Sequence, residues 1–242
     1  MKFLFDTLLF NPLYNALVFL TGVLPGNNIA LAVIVLTLIV KLILFPFYHK
    51  STKAQSKIKE IEPKIKEIQK NFKDDRQKQA EQMMALYKEH GINPFSSFIL
   101  LFIQLPIILA LFFVFSRGSD LNLDILYSFV SVPSEVNTVF LGIFDVHTKS
   151  WILAFLVGLT QFFQMKLALP PLSPKQSGQT DFKADLMRSM QIQMKYVMPV
   201  VIVFIASTFP AAIPIYWLTS NLFAIGHELI IKKKALTLFK KA

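Results

Sequence analysis

Residues 29–48, IALAVIVLTLIVKLILFPFY, form an apolar run interrupted by one charge, Lys41. Helical residues rise about 1.5 Å each, so this run just spans a hydrocarbon core of roughly 30 Å. Backbone in lipid must satisfy its own hydrogen bonds, which makes a spanning helix the reading for this stretch. A cation well inside such a span is costly and marks a candidate functional site. The bland alternative is snorkelling, because Lys41 lies seven residues from the Tyr48 end and its stem reaches toward the headgroups. Thr37, one turn away on the same face, and polar residues in the other apolar runs weigh toward function.

Several such runs, with 54% hydrophobic residues among 242, make this an all-α polytopic membrane protein. The chain has no cysteine, which excludes disulfides, thiolate metal sites and thiol catalysis. His49, His90, His147 and His227 are scattered without ligand spacing, so no metal site is expected. Phosphate-loop, nucleophile-elbow and zinc-protease motifs are all missing. The expectation is a protein that is not an enzyme and carries no cofactor.

Residues 1–28 are apolar but contain Asp6, Asn11, Pro12 and Asn15. They read as an amphipathic helix lying in the outer interface, with a sixth span as the alternative; a cleavable signal lacks its small-x-small site. Residues 29–48 are the first span. Residues 49–94 then carry eleven Lys/Arg and seven Asp/Glu with no spanning run. Ala54, Ile58, Ile61, Ile65, Ile68 and Phe72 recur at the coiled-coil period, and Pro63 kinks that helix or starts a new one. A turn at Asn71–Asp75 and a second helix over about 76–90, closed by Gly91, complete a helical hairpin outside the bilayer. It is either a solvated tether or a docking platform for a ribosome or an incoming chain, with Lys57, Lys64, Met83 and Met84 as candidate contacts.

Residues 95–231 hold the other four spans. The second, 95–115, contains Gln104, and Pro106 is expected to kink it. Outer loop 116–149 leads to the third span, 151–169, where Gln161 and Gln164 share a face with Gly158. Loop 170–194 includes a flexible linker, then a helix begun by Asp181 whose Met187, Met190 and Met194 either bind apolar segments or lie on the membrane surface. Pro210 and Pro214 divide the last apolar run into a short fourth span, about 195–209, and a fifth, about 211–231, with Trp217, Thr219, Ser220 and Asn221. The fourth is about 22 Å long, so the bilayer beside it should thin. Residues 232–242 are a basic tail.

Lys and Arg divide 21 to 3 between the hairpin, second loop and tail on one side and residues 1–28 and 116–149 on the other; Lys41 completes the 25. The richer side is cytoplasmic. Most of the +10 net charge is therefore topology rather than a nucleic-acid surface, and Lys232–Lys234 can hold anionic lipid.

The order of these features resembles a known family. A first span with one basic residue precedes Glu62-Pro63-Lys64, Gly91-Ile92-Asn93-Pro94 and Phe102-Ile103-Gln104-Leu105-Pro106. Then come Gln193-Met194-Lys195-Tyr196-Val197-Met198-Pro199, Phe209-Pro210-Ala211 and Ile215-Tyr216-Trp217-Leu218-Thr219-Ser220-Asn221-Leu222-Phe223. Over about residues 10–235 this is similar to the YidC/Oxa/Alb membrane protein insertases, and the last segment is the most specific. The resemblance implies five spans enclosing a hydrophilic groove, open to cytoplasm and lipid and closed outside, with Lys41 at the position of the family's groove cation. It implies a bacterial plasma-membrane protein with a cytoplasmic C-terminus. Nascent membrane proteins would be its clients, and the ribosome and Sec translocon are candidate partners. Two departures stand out. The family's cation is usually Arg, whose planar fork Lys lacks. A large outer domain and a lipid-anchor cysteine are both missing, as in a minimal form.

In that setting Lys41 would attract an acidic or polar client tail, and Thr37, Gln104, Gln161, Gln164 and Ser220 would offer hydrogen bonds in place of water, with Trp217 lining the same groove. Two other functions use the same residues: a solute or ion transporter charged by Lys41, and a non-catalytic assembly scaffold. Against the transporter, the chain has no internal repeat and no paired broken helices.

Overall fold

The computed structural model describes residues 2–72, 75–93, 106–110, 112–114, 123–169, 189–190 and 192–239. Gln104, most of the second span, the linker and the Asp181 cap lie outside them. The described chain is mostly helical and falls into two compact units, Met1–Ile43 with Leu105–Leu229, and Leu44–Gln104 with Ile230–Ala242. Among the described residues two helical stretches are long and apolar enough to cross a membrane, Phe3–Val23 and Trp151–Ala168; the broken pair Ile29–Ile43 and Phe45–Ile58 qualifies as a third when counted as one span.

In the first unit, short helix α1 (Lys2–Phe5) runs through a π-helical turn at Asp6–Phe10 into α2 (Asn11–Val23). Pro12 stands directly after the π-helical turn, where the regular helical hydrogen-bond ladder is already interrupted. Asn15 is buried on this helix. Its Nδ2 donates to the carbonyls of Asn11 and Ile125, and its Oδ1 accepts from the Tyr127 N–H. Gly26, at φ 70°, turns the chain into α3 (Ile29–Ile43). On α3 the buried positions Ala30, Val33, Thr37 and Lys41 recur at steps of three and four, one helical face, while Leu38, Ile39, Leu42 and Ile43 are exposed.

Strands β1 (Val139–Phe140) and β2 (Phe144–Asp145) form a small antiparallel hairpin. Helix α7 (Trp151–Ala168) starts at Ser150, whose Oγ accepts from the Leu153 N–H. Helix α8 (Met198–Thr208) follows a π-helical turn at Gln193–Val197; together they make a short apolar helix, Gln193–Thr208. Helix α9 (Ala212–Phe239) runs well past residue 231, and Pro214 occupies its first turn. Its Trp217 and Leu218, with Val203 of α8, pack on a core of Ala154, Val157, Ile202 and Ala206. Gly158 allows α7 and α8 to close up: a Cβ there would strike the Val203 side chain and come within 2.9 Å of the Pro199 carbonyl oxygen.

The second unit is built on α4 (Phe45–Glu60), α5 (Glu62–Asn71) and α6 (Arg76–Glu89). Pro63 starts a new helix rather than kinking one, because it lies in the first turn of α5. Ile61, Ile65, Leu86 and Ile92 form the core, flanked by Ile58, Ile68, Met83 and Tyr87. Four of the six seam positions read from the sequence are thus in or against that core. Asp75 caps α6 by accepting from the Lys78 N–H, and Gly91, at φ 59°, closes it.

Candidate functional site

A few residues at one end of the first unit gather the starts of three apolar helices. Asn28 caps α3, its Oδ1 accepting from the Ala30 and Leu31 N–H groups, while its Nδ2 donates to the Val139 carbonyl of β1. Backbone bonds run from Ile29 N–H to Asn137 O and from Asn137 N–H to Asn27 O. Past the hairpin, Val146 and Thr148 accept from the N–H groups of Ala212 and Ala211, at the start of α9, and Lys149 bridges to Pro210. Ser150 then begins α7. One hydrogen-bonded patch, residues 137–150, therefore holds the N-terminal ends of α3, α7 and α9.

Depth along each helix can be counted from that patch. Thr37 and Lys41 lie about 12 and 18 Å along α3, Gln161 and Gln164 about 15 and 20 Å along α7, and Ser220 about 12 Å along α9. Polar residues on three helices thus fall about 12–20 Å from that patch. Lys41 is 4% exposed and Thr37 2%; the Thr37 hydroxyl donates to the Val33 carbonyl at 2.6 Å. Gln161, Gln164 and Ser220 are half-buried. Trp217, three residues before Ser220 on α9, is half-buried and packs against the apolar core of α7 and α8.

The sequence reading missed the polar contact that joins two of these helices. Asn221, 3% exposed, donates from Nδ2 to Thr160 Oγ1 at 3.2 Å and, more weakly, to the Val157 carbonyl at 3.4 Å. Thr160 in turn donates to carbonyls one turn back on α7. The available signal was depth: Thr160 and Asn221 each stand nine residues into their helices. His227 and Glu228, both buried on α9, were also passed over, although ionisable residues in a span are functional candidates by default.

On the helical hairpin the four candidate contacts divide. Lys57 Nζ donates to the His90 carbonyl, tying α4 to the end of α6. Met83 packs against the hairpin core, and Met84 is exposed. Lys64 lines an open groove of about 310 Å³ between α5 and α6, with Glu67, Ile68, Leu86 and Glu89 among its walls. Burial raises the Tyr87 phenol above its ordinary value of 10.0.

The family described as 60Kd inner membrane protein matches residues 19–237. A Membrane protein insertase YidC from Clostridium tetani is 34% identical over 210 residues, covering 86% of this chain and 84% of that protein. Another of the same name, from Francisella tularensis subsp. novicida, is 32% identical over 217 residues, covering 89% of this chain and 34% of the longer relative.

Proposed function

Because the chain belongs to the 60Kd inner membrane protein family and is therefore a membrane protein insertase, we propose that its mid-depth polar belt, centred on Lys41, carries the insertion step. The observation behind this is the burial of Lys41 and Thr37 on the inward face of α3, at the depth of Gln161, Gln164 and Ser220.

Moving polar chain ends across hydrocarbon is the physical problem, since each unsatisfied backbone group there costs several kcal/mol. Five spans around a hydrophilic groove, open to the cytoplasm and to lipid, solve it by shortening the dry distance. The bilayer thins beside short α8 and shortens it further. Lys41 attracts the client's acidic or polar tail, and Thr37, Gln104, Gln161, Gln164 and Ser220 replace its water. The client's apolar segment then leaves sideways into lipid, gaining about 25 cal/mol per Å² buried. Membrane potential adds about 2.3 kcal/mol per acidic charge at 100 mV, and no nucleotide is consumed.

Hairpin, second loop and tail face the cytoplasm in this reading, in the bacterial plasma membrane, and the hairpin receives nascent membrane proteins, the ribosome or the Sec translocon through Lys57, Lys64, Met83 and Met84. Anionic lipid holds the basic tail; nucleic acid has no specific role. Shared N-terminal ends for α3, α7 and α9 support this arrangement, because first, third and fifth spans must start on one side. Residues 3–25 lie in the outer interface. In support, they meet the outer-loop side along their length: Phe5 against Phe113, Asn15 with Ile125 and Tyr127, and Gly22 near Ser131 and Pro133.

Reconstitution of the purified chain alone tests the function. Insertion of a small client into vesicles, without nucleotide, is the expected result. Solute flux without insertion would overturn the reading in favour of a transporter, and client binding with neither activity would favour a scaffold.

A further inference from the structure

Between Ile125 and Ile143 the chain carries a single charge, Glu135, yet these residues form no spanning helix. Three of their large apolar side chains point into open space: Phe129 is 73% exposed, Leu141 72% and Ile143 70%. The tip of the β1–β2 hairpin is the most telling. Leu141 and Gly142 turn it with φ of 54° and 70°, both left-handed. Such two-residue turns select Asn-Gly or Gly-Gly, because a leucine Cβ clashes in the left-handed region. Leucine is thus the worse residue for the turn and, in water, the worse residue for the surface. Transfer of its side chain out of water removes the second penalty and offsets the first.

The hairpin is also rigidly placed. Strand β1 is hydrogen-bonded to the cap of α3, Val146 and Thr148 just past β2 are hydrogen-bonded to the start of α9, and the chain continues within a few residues into α7. The first turns of α7 expose Trp151, Ile152 and Phe155, a continuous apolar face on a helix long enough to cross a membrane. Trp at such a helix end belongs at the headgroup boundary. We infer that Leu141 and Ile143, at the tip of this hairpin, form an apolar wedge that inserts into the outer-leaflet boundary of the lipid bilayer and holds the starts of α3, α7 and α9 at a set depth. The partner is lipid acyl chain rather than protein, because the hairpin leads within a few residues into a helix long and apolar enough to cross a membrane, whose first residue is the exposed Trp151. This rests on the outer placement of loop 116–149 proposed above.

The test uses the absence of cysteine. Single Cys replaces Leu141, Ile143 or, as a reference, Ser134, each carrying an environment-sensitive fluorophore, in the full chain in phosphatidylethanolamine–phosphatidylglycerol vesicles. Probes at 141 and 143 should be blue-shifted and quenched by lipids bearing a nitroxide near the headgroup, with iodide quenching several-fold weaker than at 134. Leu141→Asn, which suits the left-handed turn, should move the 143 probe toward water; a turn with a purely structural role would leave it unmoved. Iodide quenching at 141 equal to that at 134 overturns the wedge, as does a blue shift seen only when a translocon is added. Labelling of position 134 from the cytoplasmic side alone would instead overturn the outer placement of the loop, and the wedge with it.

Discussion

Asn221 and Thr160 meet across two helices, Nδ2 to Oγ1 at 3.2 Å, each nine residues from a helix start held by the same hydrogen-bonded patch. That equality of depth means α7 and α9 run side by side in the same direction. It also sets their rotation, because one pair of side chains can meet only at one setting of the two axes. Membrane-embedded hydrogen bonds of this kind are worth about 0.6 kcal/mol on average and reach about 1.7. Thr160→Val and Asn221→Leu should each lower thermal stability in detergent by an amount in that range. A double-mutant cycle should show the two effects to be less than additive; full additivity would mean that the contact carries no energy.

Gly158 makes a second prediction of register. Gly158→Ala places a methyl group against Val203 and the Pro199 carbonyl, and overpacking of that type costs about 1–3 kcal/mol. Val203→Ala should recover part of the loss and not all of it, since the Pro199 carbonyl is backbone and cannot be trimmed. Melting of the single and double variants checks this.

For Lys41, the positive field is what matters in the proposed mechanism. Lys41→Arg should retain insertion, and Lys41→Ala should fold with equal or greater stability, an intramembrane charge having been removed. For an acidic-tail client the Ala variant should lose about tenfold, equivalent to ~1.4 kcal/mol, and less for a neutral-tail client. Snorkelling predicts little change for either. Paired clients differing only in tail charge, at matched insertase levels, decide the matter.

Tyr87 supplies a pH prediction for the helical hairpin. Its folded phenol has a raised pKa, so the unfolded state ionises first as pH climbs past 10.0. Its contribution to hairpin stability is full below that value and is lost as pH rises through the higher folded one. Tyr87→Phe should remove one late-titrating tyrosine from the phenolate absorbance. Unchanged titration in the Phe variant would assign the late group elsewhere.

Topology is open to cysteine scanning without background. Cys at Ser56, Ser177 or Thr237 should be labelled only from the cytoplasm, and at Ser134 only from outside. Labelling of position 177 from outside would break the five-span arrangement. Position 6 is the sensitive one: outside access fits the interfacial helix, and cytoplasmic access fits a sixth span.

Much of this protein was legible along the chain because a bilayer is a one-dimensional filter. It sorts segments by length and apolarity, which is why the 29–48 run, its Lys41 and the Pro-delimited short α8 stand out before any folding. The hairpin was legible for a different reason. Its Ile58, Ile61, Ile65 and Ile68 repeat at a helical period, and Asp75 and Gly91 carry local capping chemistry. Neither rule reaches across the chain. Hydropathy is blind to rotation about a helix axis, so the pairing of Asn221 with Thr160, 61 residues away, was decided only when the helices packed. The same holds for the packing of Trp217 against the core of Ala154, Val157, Ile202 and Ala206. Apolar loop residues that form no span gave no sign that they would tie three helix starts together. That outcome depends on backbone N–H and carbonyl groups, identical in every residue, finding partners only in three dimensions.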